Sequence, residues 1–186
     1  MIRAQAVHKS FGSTPALDSV TAEIRTGSIY GLIGSNGAGK STFLRILAGI
    51  LRPDSGSVTI DDQPVFENPE IKSRCFMISD EPYFFSCCTP RDLNKYYKTI
   101  YPHFDEARFR SLMNNFGLDE RRKIRTFSKG MKKQVSVICA VSSGADYLFC
   151  DETFDGLDPV ARQAVKSLFA GDVPEFCATP VIASHN

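Results

Sequence analysis

The sequence lacks the features that would anchor a chain in a membrane, export it or attract it to nucleic acid. It contains no run of about 18 apolar residues, and residues 1–12 have no apolar core that could serve as a secretion signal. Its 22 Lys and Arg residues against 21 Asp and Glu residues give a net charge of +1, so no nucleic-acid partner is expected. Any link to a membrane is therefore expected to run through another protein.

The six cysteines form no C-x-x-C pair and no metal-binding spacing. Most lie inside apolar segments, which indicates small buried side chains in a reducing cytosol. Repeats and low-complexity segments are also absent from the sequence. A length of 186 residues with 42% hydrophobic residues is that of a single globular domain with a real core.

Residues 31–50, GLIGSNGAGKSTFLRILAGI, carry the clearest motif of the chain. Gly34, Gly39, Lys40 and Ser41 satisfy the pattern G-x-x-x-x-G-K-[ST], which holds the phosphates of a nucleotide. An apolar run precedes the motif, and apolar residues recur at helical spacing after it. Strand, glycine loop and helix form the arrangement that this motif requires.

The residue types of the loop fit a nucleotide with its magnesium ion. Glycines bring backbone N–H groups close to phosphate oxygens at the positive end of the new helix. By motif position, Lys40 reaches the β and γ phosphates and the Ser41 hydroxyl ligates magnesium. The predicted nucleotide-binding residues of the loop are Gly34, Ser35, Asn36, Gly37, Ala38, Gly39, Lys40, Ser41 and Thr42, and the loop alone leaves kinases, GTPases and ATPases open.

The remaining pattern predicts an α/β chain. Strands at about 2–7 and 17–25 and a hairpin near 57–60 predict a small antiparallel layer, while residues 86–143 become helical. Helix starts are predicted at Thr89, Asp105, Ser128 and Asp158. Buried strands are predicted at 74–78, 147–150 and 180–184.

The strand at 147–150 delivers Asp151 and Glu152 to its carboxyl end, the pattern of a buried parallel strand. Asp151 is placed to hold magnesium next to Ser41. Glu152 points to the opposite side and is predicted to orient or deprotonate the attacking water. Without the phosphate loop upstream, the same pair would be interpreted as a solvated strand end.

Several further segments resemble motifs of the ATP-binding cassette (ABC) ATPases that energise membrane transporters. Phe11 stands at the position where the family stacks an aromatic ring on adenine, and Phe127 to Met131 is similar to the LSGGQ signature. Asp151-Glu152 is similar to the Walker B end, Gly156 to Asp158 to the D-loop, and His185 to the switch histidine. These motifs span residues 11–185 in the order of the family and are together far more specific than any one of them.

The resemblance implies a P-loop NTPase fold of the ABC type, with a mainly parallel sheet, a small antiparallel β layer and a helical insertion. Residues 1–186 would form one domain, with 1–85 and 144–186 as the RecA-like core plus β layer and 86–143 as a helical subdomain. It also implies ATP binding and hydrolysis with Mg2+, with Glu152, His185 and Lys40 as catalytic residues.

The resemblance further implies a working pair of chains. Ser128, Lys129 and Gly130 would act on ATP bound to a second subunit of a homodimer or heterodimer, and Asp158 would belong to the D-loop. An integral membrane permease subunit is the other implied partner. The protein would then be cytoplasmic and peripheral on the inner face of the cell membrane.

The sequence departs from the family pattern at three places. Asp80 takes the position of the Q-loop glutamine, where a carboxylate can still ligate magnesium. The signature contains Lys129 and Met131 in place of glycine and glutamine, and basic residues including Lys132 and Lys133 surround it. These basic residues are predicted to be a solvated face, with contact to anionic lipid as the alternative.

The chain ends one residue after His185, where family members continue. A C-terminally truncated cassette is therefore predicted, with an intact ATP-binding loop, a frayed final strand and impaired turnover. Two other functions stay open. One is a soluble ABC ATPase that acts on ribosomes or DNA, and the other is a regulatory subunit that binds ATP with little turnover.

Overall fold

In the part of the chain that the structure describes, eight strands form two four-stranded sheets, one antiparallel and one parallel. The computed structural model describes residues 1–172 and 178–185, so Cys177 lies outside the described residues. The strands are β1 (Ile2–Phe11), β2 (Thr14–Ile24), β3 (Tyr30–Ile33), β4 (Ser55–Ile60), β5 (Gln63–Pro64), β6 (Cys75–Ile78), β7 (Tyr147–Asp151) and β8 (Thr179–Ser184). The antiparallel sheet has the order β2-β1-β4-β5, which confirms the predicted antiparallel layer.

The second sheet is parallel, with the order β3-β8-β7-β6. Because its strands run in one direction, the residues that follow β3, β6, β7 and β8 meet at one edge. β8 is hydrogen-bonded to β3 on one side and to β7 on the other, from Tyr147↔Thr179 to Ile33↔Ser184. The predicted fraying of this strand is therefore wrong for residues 179–184.

The described residues form six α-helices, and the last four begin where the sequence predicts caps. They are α1 (Lys40–Leu47), α2 (Pro69–Ser73), α3 (Pro90–Ile100), α4 (Glu106–Asn115), α5 (Lys129–Ser142) and α6 (Pro159–Ser167), with a 3-10 turn at Ile124–Thr126 and a π-helical turn at Leu168–Asp172. Thr89, Asp105, Ser128 and Asp158 each accept a backbone hydrogen bond at a helix start. α3, α4 and α5 fall within the predicted stretch 86–143, whose assignment as a subdomain stays a prediction.

Two apolar clusters hold the elements together. One lies among α1, the antiparallel sheet and the parallel sheet and contains Leu44, Ile60 and Phe149. The other lies among the parallel sheet and helices α3 to α6 and contains Phe109, Ile138 and Leu148. Each cluster covers one face of the parallel sheet, so the position of the residues at its edge is fixed from both sides.

The basic residues around the signature differ in how much of their side chain is exposed. Lys129 is exposed, as predicted, but Lys133 is completely buried within α5. The prediction of a uniformly solvated basic face is therefore wrong at Lys133. Among the described residues, no helix is long and apolar enough to cross a membrane.

Candidate functional site

The predicted phosphate loop lies between the end of β3 at Ile33 and the start of α1 at Lys40. The backbone dihedral φ is +83° at both Gly37 and Gly39, a conformation that other residues rarely adopt. At Gly39, a Cβ atom would also lie 2.3 Å from the carbonyl oxygen of Ala16 in β2. The loop therefore keeps its shape because β2 packs directly against it.

The side chain of Lys40 folds back over the loop. Its Nζ donates hydrogen bonds to the carbonyl oxygens of Gly34, at 2.8 Å, and Ser35, at 3.0 Å. It also lies 3.7 Å from Oε1 of Glu152. These contacts hold a positive charge at the mouth of the loop, where the motif predicts the β and γ phosphates.

Ser41 and Asp151 meet as the sequence predicts. Ser41 Oγ donates a 2.8 Å hydrogen bond to Oδ1 of Asp151, which is the last residue of β7 and is buried. A hydroxyl and a carboxylate are hard oxygen donors of the kind that Mg2+ prefers, so this pair fits the ion. Burial raises the pKa of the adjoining Cys150 thiol to about 12.

Glu152 lies between a cation and an imidazole. Its Oε2 is 2.8 Å from Nδ1 of His185, the residue that follows β8. The same Nδ1 lies 3.1 Å from Oδ2 of Asp155. With Oε1 facing Lys40, the carboxylate is fixed beside the phosphate loop, in a position from which it can orient a water molecule.

Lys40, Ser41, Glu152 and His185 line one open cleft of about 550 Å3, a size typical of small-molecule sites, whereas Gly34, Ser35 and Asp151 do not line it. Phe11 lies at its rim with 54% of its surface exposed, and Lys9 Nζ is 5.7 Å from the ring centroid. An exposed aromatic ring at this place is available for stacking on a base. The cleft is lined by Phe11, Ala16, Asn36, Gly37, Ala38, Gly39, Lys40, Ser41, Thr42, Asp80, Lys129, Glu152, Asp155 and His185.

Asp80 lines the cleft, but its carboxylate has a protein partner. Its Oδ1 accepts a 2.8 Å hydrogen bond from Nζ of Lys133. The same Nζ donates at 2.7 Å to the backbone carbonyl oxygen of Glu152. The role of Asp80 as a magnesium ligand stays a prediction, whereas its ion pair with Lys133 is a feature of the structure.

The signature segment forms the exposed start of α5. Ser128 is the N-cap, and its Oγ accepts a 3.1 Å hydrogen bond from the backbone N–H of Met131. Lys129 lies at the edge of the cleft of its own chain, which the predicted action on a second chain did not anticipate. The roles of Ser128, Lys129 and Gly130 toward a second nucleotide stay predictions.

Asp158 caps α6 by accepting hydrogen bonds from the backbone N–H groups of Val160, at 3.0 Å, and Ala161, at 2.9 Å. Gly156, two residues before Asp158, packs on the start of α5, since a Cβ atom at Gly130 would lie 3.4 Å from the carbonyl oxygen of Gly156. Asp158 therefore has a local structural role, and its role in the D-loop of a dimer stays a prediction.

Sequence reasoning missed two residues of the site. Asp155 comes three residues after Glu152, and this close third carboxylate was a signal that could have been used. Lys133 gave no such signal, because it stands in a run of basic residues and only the packing of α5 shows that it is buried. Both residues contact the machinery around Glu152.

The sequence model of the ABC transporter family matches residues 17–155. The ABC transporter ATP-binding protein YtrB of Bacillus subtilis is 32% identical over all of this chain and 63% of its own length. The lantibiotic transport ATP-binding protein SrtF of Streptococcus pyogenes is 31% identical over all of this chain and 80% of its own length. A solved ATP-binding subunit of an ABC transporter is 26% identical, with a TM-score of 0.87 over all of this chain and 79% of that one.

These likenesses confirm the predicted fold class, a P-loop NTPase of the ABC type with a parallel and an antiparallel sheet. The match with the family covers the phosphate loop, the signature and the Asp151-Glu152 pair. The chain spans 63% of the length of YtrB, so what YtrB does as a whole is not carried over by the match alone.

Proposed function

Since this chain belongs to the ABC transporter family, we propose that it binds ATP and hydrolyses it to power a membrane transporter. One observation carries the proposal. Lys40, Ser41 and the Glu152–His185 pair line a single cleft at the edge of the parallel sheet, and the buried Asp151 is hydrogen-bonded to Ser41. Binding alone would not need a carboxylate held beside the phosphate loop.

Each group has a role that its position supports. The loop N–H groups and Lys40 bind the phosphates and offset the negative charge that builds up on them. Ser41 and Asp151 would hold a magnesium ion, which would supply further charge stabilisation at the phosphates. Glu152 orients the attacking water, and His185 keeps the Glu152 carboxylate in place through their 2.8 Å contact.

We further propose that two chains work together. The start of α5 presents Ser128 and Lys129 to solvent, with backbone N–H groups at the positive end of the helix. A γ-phosphate bound to another chain is the ligand that such a surface suits, and a twofold dimer would form both sites with the same contacts. Loss of that phosphate on hydrolysis would let the pair open.

The transport role rests on relatives whose names assign them to transport, among them SrtF. A permease subunit in the membrane is the proposed partner, and the proposed location is the cytoplasmic face of that membrane. Co-purification with an integral membrane protein, rather than with ribosomes, is the result expected. The opposite result would favour the soluble ABC ATPase.

Glu152→Gln tests the hydrolytic step. This change keeps the size of the side chain but removes the charge that orients water, so turnover should fall by about a hundredfold or more. Nucleotide affinity should stay within about threefold, because the phosphate loop is untouched. Phosphate release and binding of a fluorescent ATP analogue measure the two quantities.

Glu70→Gln is the matched control, since Glu70 is exposed on α2 and does not line the cleft. Its turnover should equal that of the parent protein. Full turnover in the Glu152 variant would show that Glu152 is not the catalytic group. A parent protein that binds ATP without releasing phosphate would favour the regulatory subunit.

A further inference from the structure

Lys133 stands where a charged side chain is costly. It lies on α5 with 0% of its surface exposed, and a buried ammonium group is tolerated only when it is paired and hydrogen-bonded. Among residues 1–172 and 178–185, its Nζ has two hydrogen-bond partners, which come from two other parts of the chain. One is Oδ1 of Asp80, at 2.8 Å, after β6, and the other is the carbonyl oxygen of Glu152, at 2.7 Å, after β7.

The backbone of Glu152 needs such support. Its φ is +48°, in the left-handed region, where a residue with a side chain persists only when its surroundings enforce the conformation. Its N–H donates to the carbonyl oxygen of Ala183 in β8, at 3.2 Å, and its own carbonyl accepts from the N–H of Asp155, at 3.2 Å. Within residues 1–172 and 178–185, the Lys133 ammonium is the one side-chain group that bonds to this backbone.

The direction of the Glu152 carboxylate depends on this backbone conformation. A glutamate that orients water tolerates little displacement, because small errors in geometry cost large factors in rate. Lys133 fixes the carbonyl at one end of the Glu152 peptide unit, and Asp80 fixes Lys133. These contacts link Asp80 in the cleft wall, through the buried Lys133 ammonium, to the backbone of Glu152.

We propose that Lys133 is a positioning residue for Glu152 and that Asp80 is its counter-ion rather than a magnesium ligand. The inference rests on the proposed role of Glu152 in hydrolysis. Lys133 lies one helical turn after Lys129 of the signature, so a shift of α5 moves Nζ relative to Glu152. The position of the signature helix is thereby coupled to the catalytic glutamate within one chain.

Four variants test the proposal: Lys133→Met, Asp80→Asn, the double variant Asp80→Asn/Lys133→Met, and Lys132→Met as the matched control. Lys132 is adjacent on α5, is partly exposed and carries the same charge. Methionine keeps the length of the lysine stem without its donor. The double variant removes the charge pair as a unit, so that no buried charge is left unpaired.

Turnover and stability should separate in these variants. Lys133→Met should lower kcat about tenfold to a hundredfold, with KM for ATP within about threefold. Asp80→Asn should lower the thermal midpoint, because it leaves a buried ammonium unpaired, and the double variant should recover it. The double variant should nevertheless keep the low kcat, because the Glu152 carbonyl still lacks its donor. Lys132→Met should match the parent protein.

Hydrogen exchange gives a readout that needs no turnover. The amide of Asp155 donates to the same Glu152 carbonyl, so it should exchange faster in Lys133→Met and in the double variant. Amides of α1 should keep their rates. An unchanged exchange rate of the Asp155 amide in the double variant would overturn the proposal. A double variant that recovers both kcat and the thermal midpoint of the parent protein would also overturn it.

The result also separates this inference from the proposed function. A parent protein without ATPase activity would refute the proposed function. The hydrogen-exchange rate of the Asp155 amide in the Lys133 variants would still show whether Lys133 holds the Glu152 backbone. If both Lys133 variants fail to fold while Lys132→Met folds, Lys133 serves the core and not Glu152, and the inference is wrong.

Discussion

The phosphate loop and the signature segment both present backbone N–H groups at the start of a helix, yet they are built differently. At the loop, β2 packs so closely that a Cβ atom at Gly39 would lie 2.3 Å from a carbonyl oxygen. At the signature, the closest atom to a Cβ on Gly130 is at 3.4 Å, and Ser128 and Lys129 are exposed. The phosphate loop is therefore held by packing within its own chain, whereas the surface of the signature segment is open to a ligand or a second chain.

The largest expected effect is at the phosphate loop. Gly39→Ala should lower the free energy of unfolding by about 3 kcal/mol or more, because it adds a steric clash to an unfavourable φ. Nucleotide affinity should fall with it. Chemical denaturation and titration with a fluorescent ATP analogue measure both effects.

Gly37→Ala is the matched control for the clash. Gly37 has the same φ of +83°, but, apart from its own atoms and its two chain neighbours, no atom of the described residues lies within 4 Å of a Cβ placed there. Gly37→Ala should therefore lower the free energy of unfolding by about 1 kcal/mol, the strain of the backbone alone. Equal losses at the two glycines would mean that packing by β2 does not determine the shape of the loop.

A second prediction concerns the signature. Gly130→Ala should leave the stability of the single chain unchanged or raise it by up to about 1 kcal/mol, because alanine favours the helix. ATP affinity of the single chain should also be unchanged. Turnover should fall about tenfold or more, because the added methyl group obstructs the approach of a phosphate.

Phosphate release measured over a range of protein concentrations checks this prediction. Full turnover in Gly130→Ala would contradict the assignment of the signature to the catalytic site. A parallel loss of ATP affinity would instead place Gly130 in the nucleotide site of its own chain.

The smallest expected effect is the change in the free energy of unfolding when the cap of α3 is removed. Thr89 and Asp92 form a capping box at the start of α3. Thr89→Ala should lower the free energy of unfolding by about 1 kcal/mol and leave ATP affinity unchanged. Thr99→Ala, near the other end of α3, should change it by less than about 0.5 kcal/mol.

Denaturant titration of the two threonine variants checks this comparison. Equal losses would show that the capping box does not stabilise α3. A loss of ATP affinity in Thr89→Ala would show instead that the start of α3 influences the phosphate loop.

Local patterns were enough to predict much of the fold and of the cleft. Capping residues act on the backbone two or three positions away, so the starts of α3, α4, α5 and α6 could be predicted from single residues. The contact between Ser41 and Asp151 followed from a different rule. Parallel strands end at a common edge, which brings residues 110 positions apart together.

The errors came from residues whose environment depends on distant packing. Lys133 stands among exposed basic residues, and only the fit of α5 between the loops after β6 and β7 buries it. The ion pair between Asp80 and that buried lysine was missed for the same reason, while the assignment of Asp80 to magnesium stays a prediction. The final strand was predicted to fray because it is near the chain end, although β3 and β7 enclose it.

By itself, the sequence determined the phosphate loop, the residue types at the carboxyl ends of the strands and the caps of the helices. Each of these depends on neighbours within a few residues, where spacing along the chain sets distance in space. Only the tertiary structure decided that Asp155 joins His185 and that Lys133 reaches the Glu152 carbonyl. Those contacts depend on how α5, β7 and β8 pack, and packing is a property of the whole core rather than of any one segment.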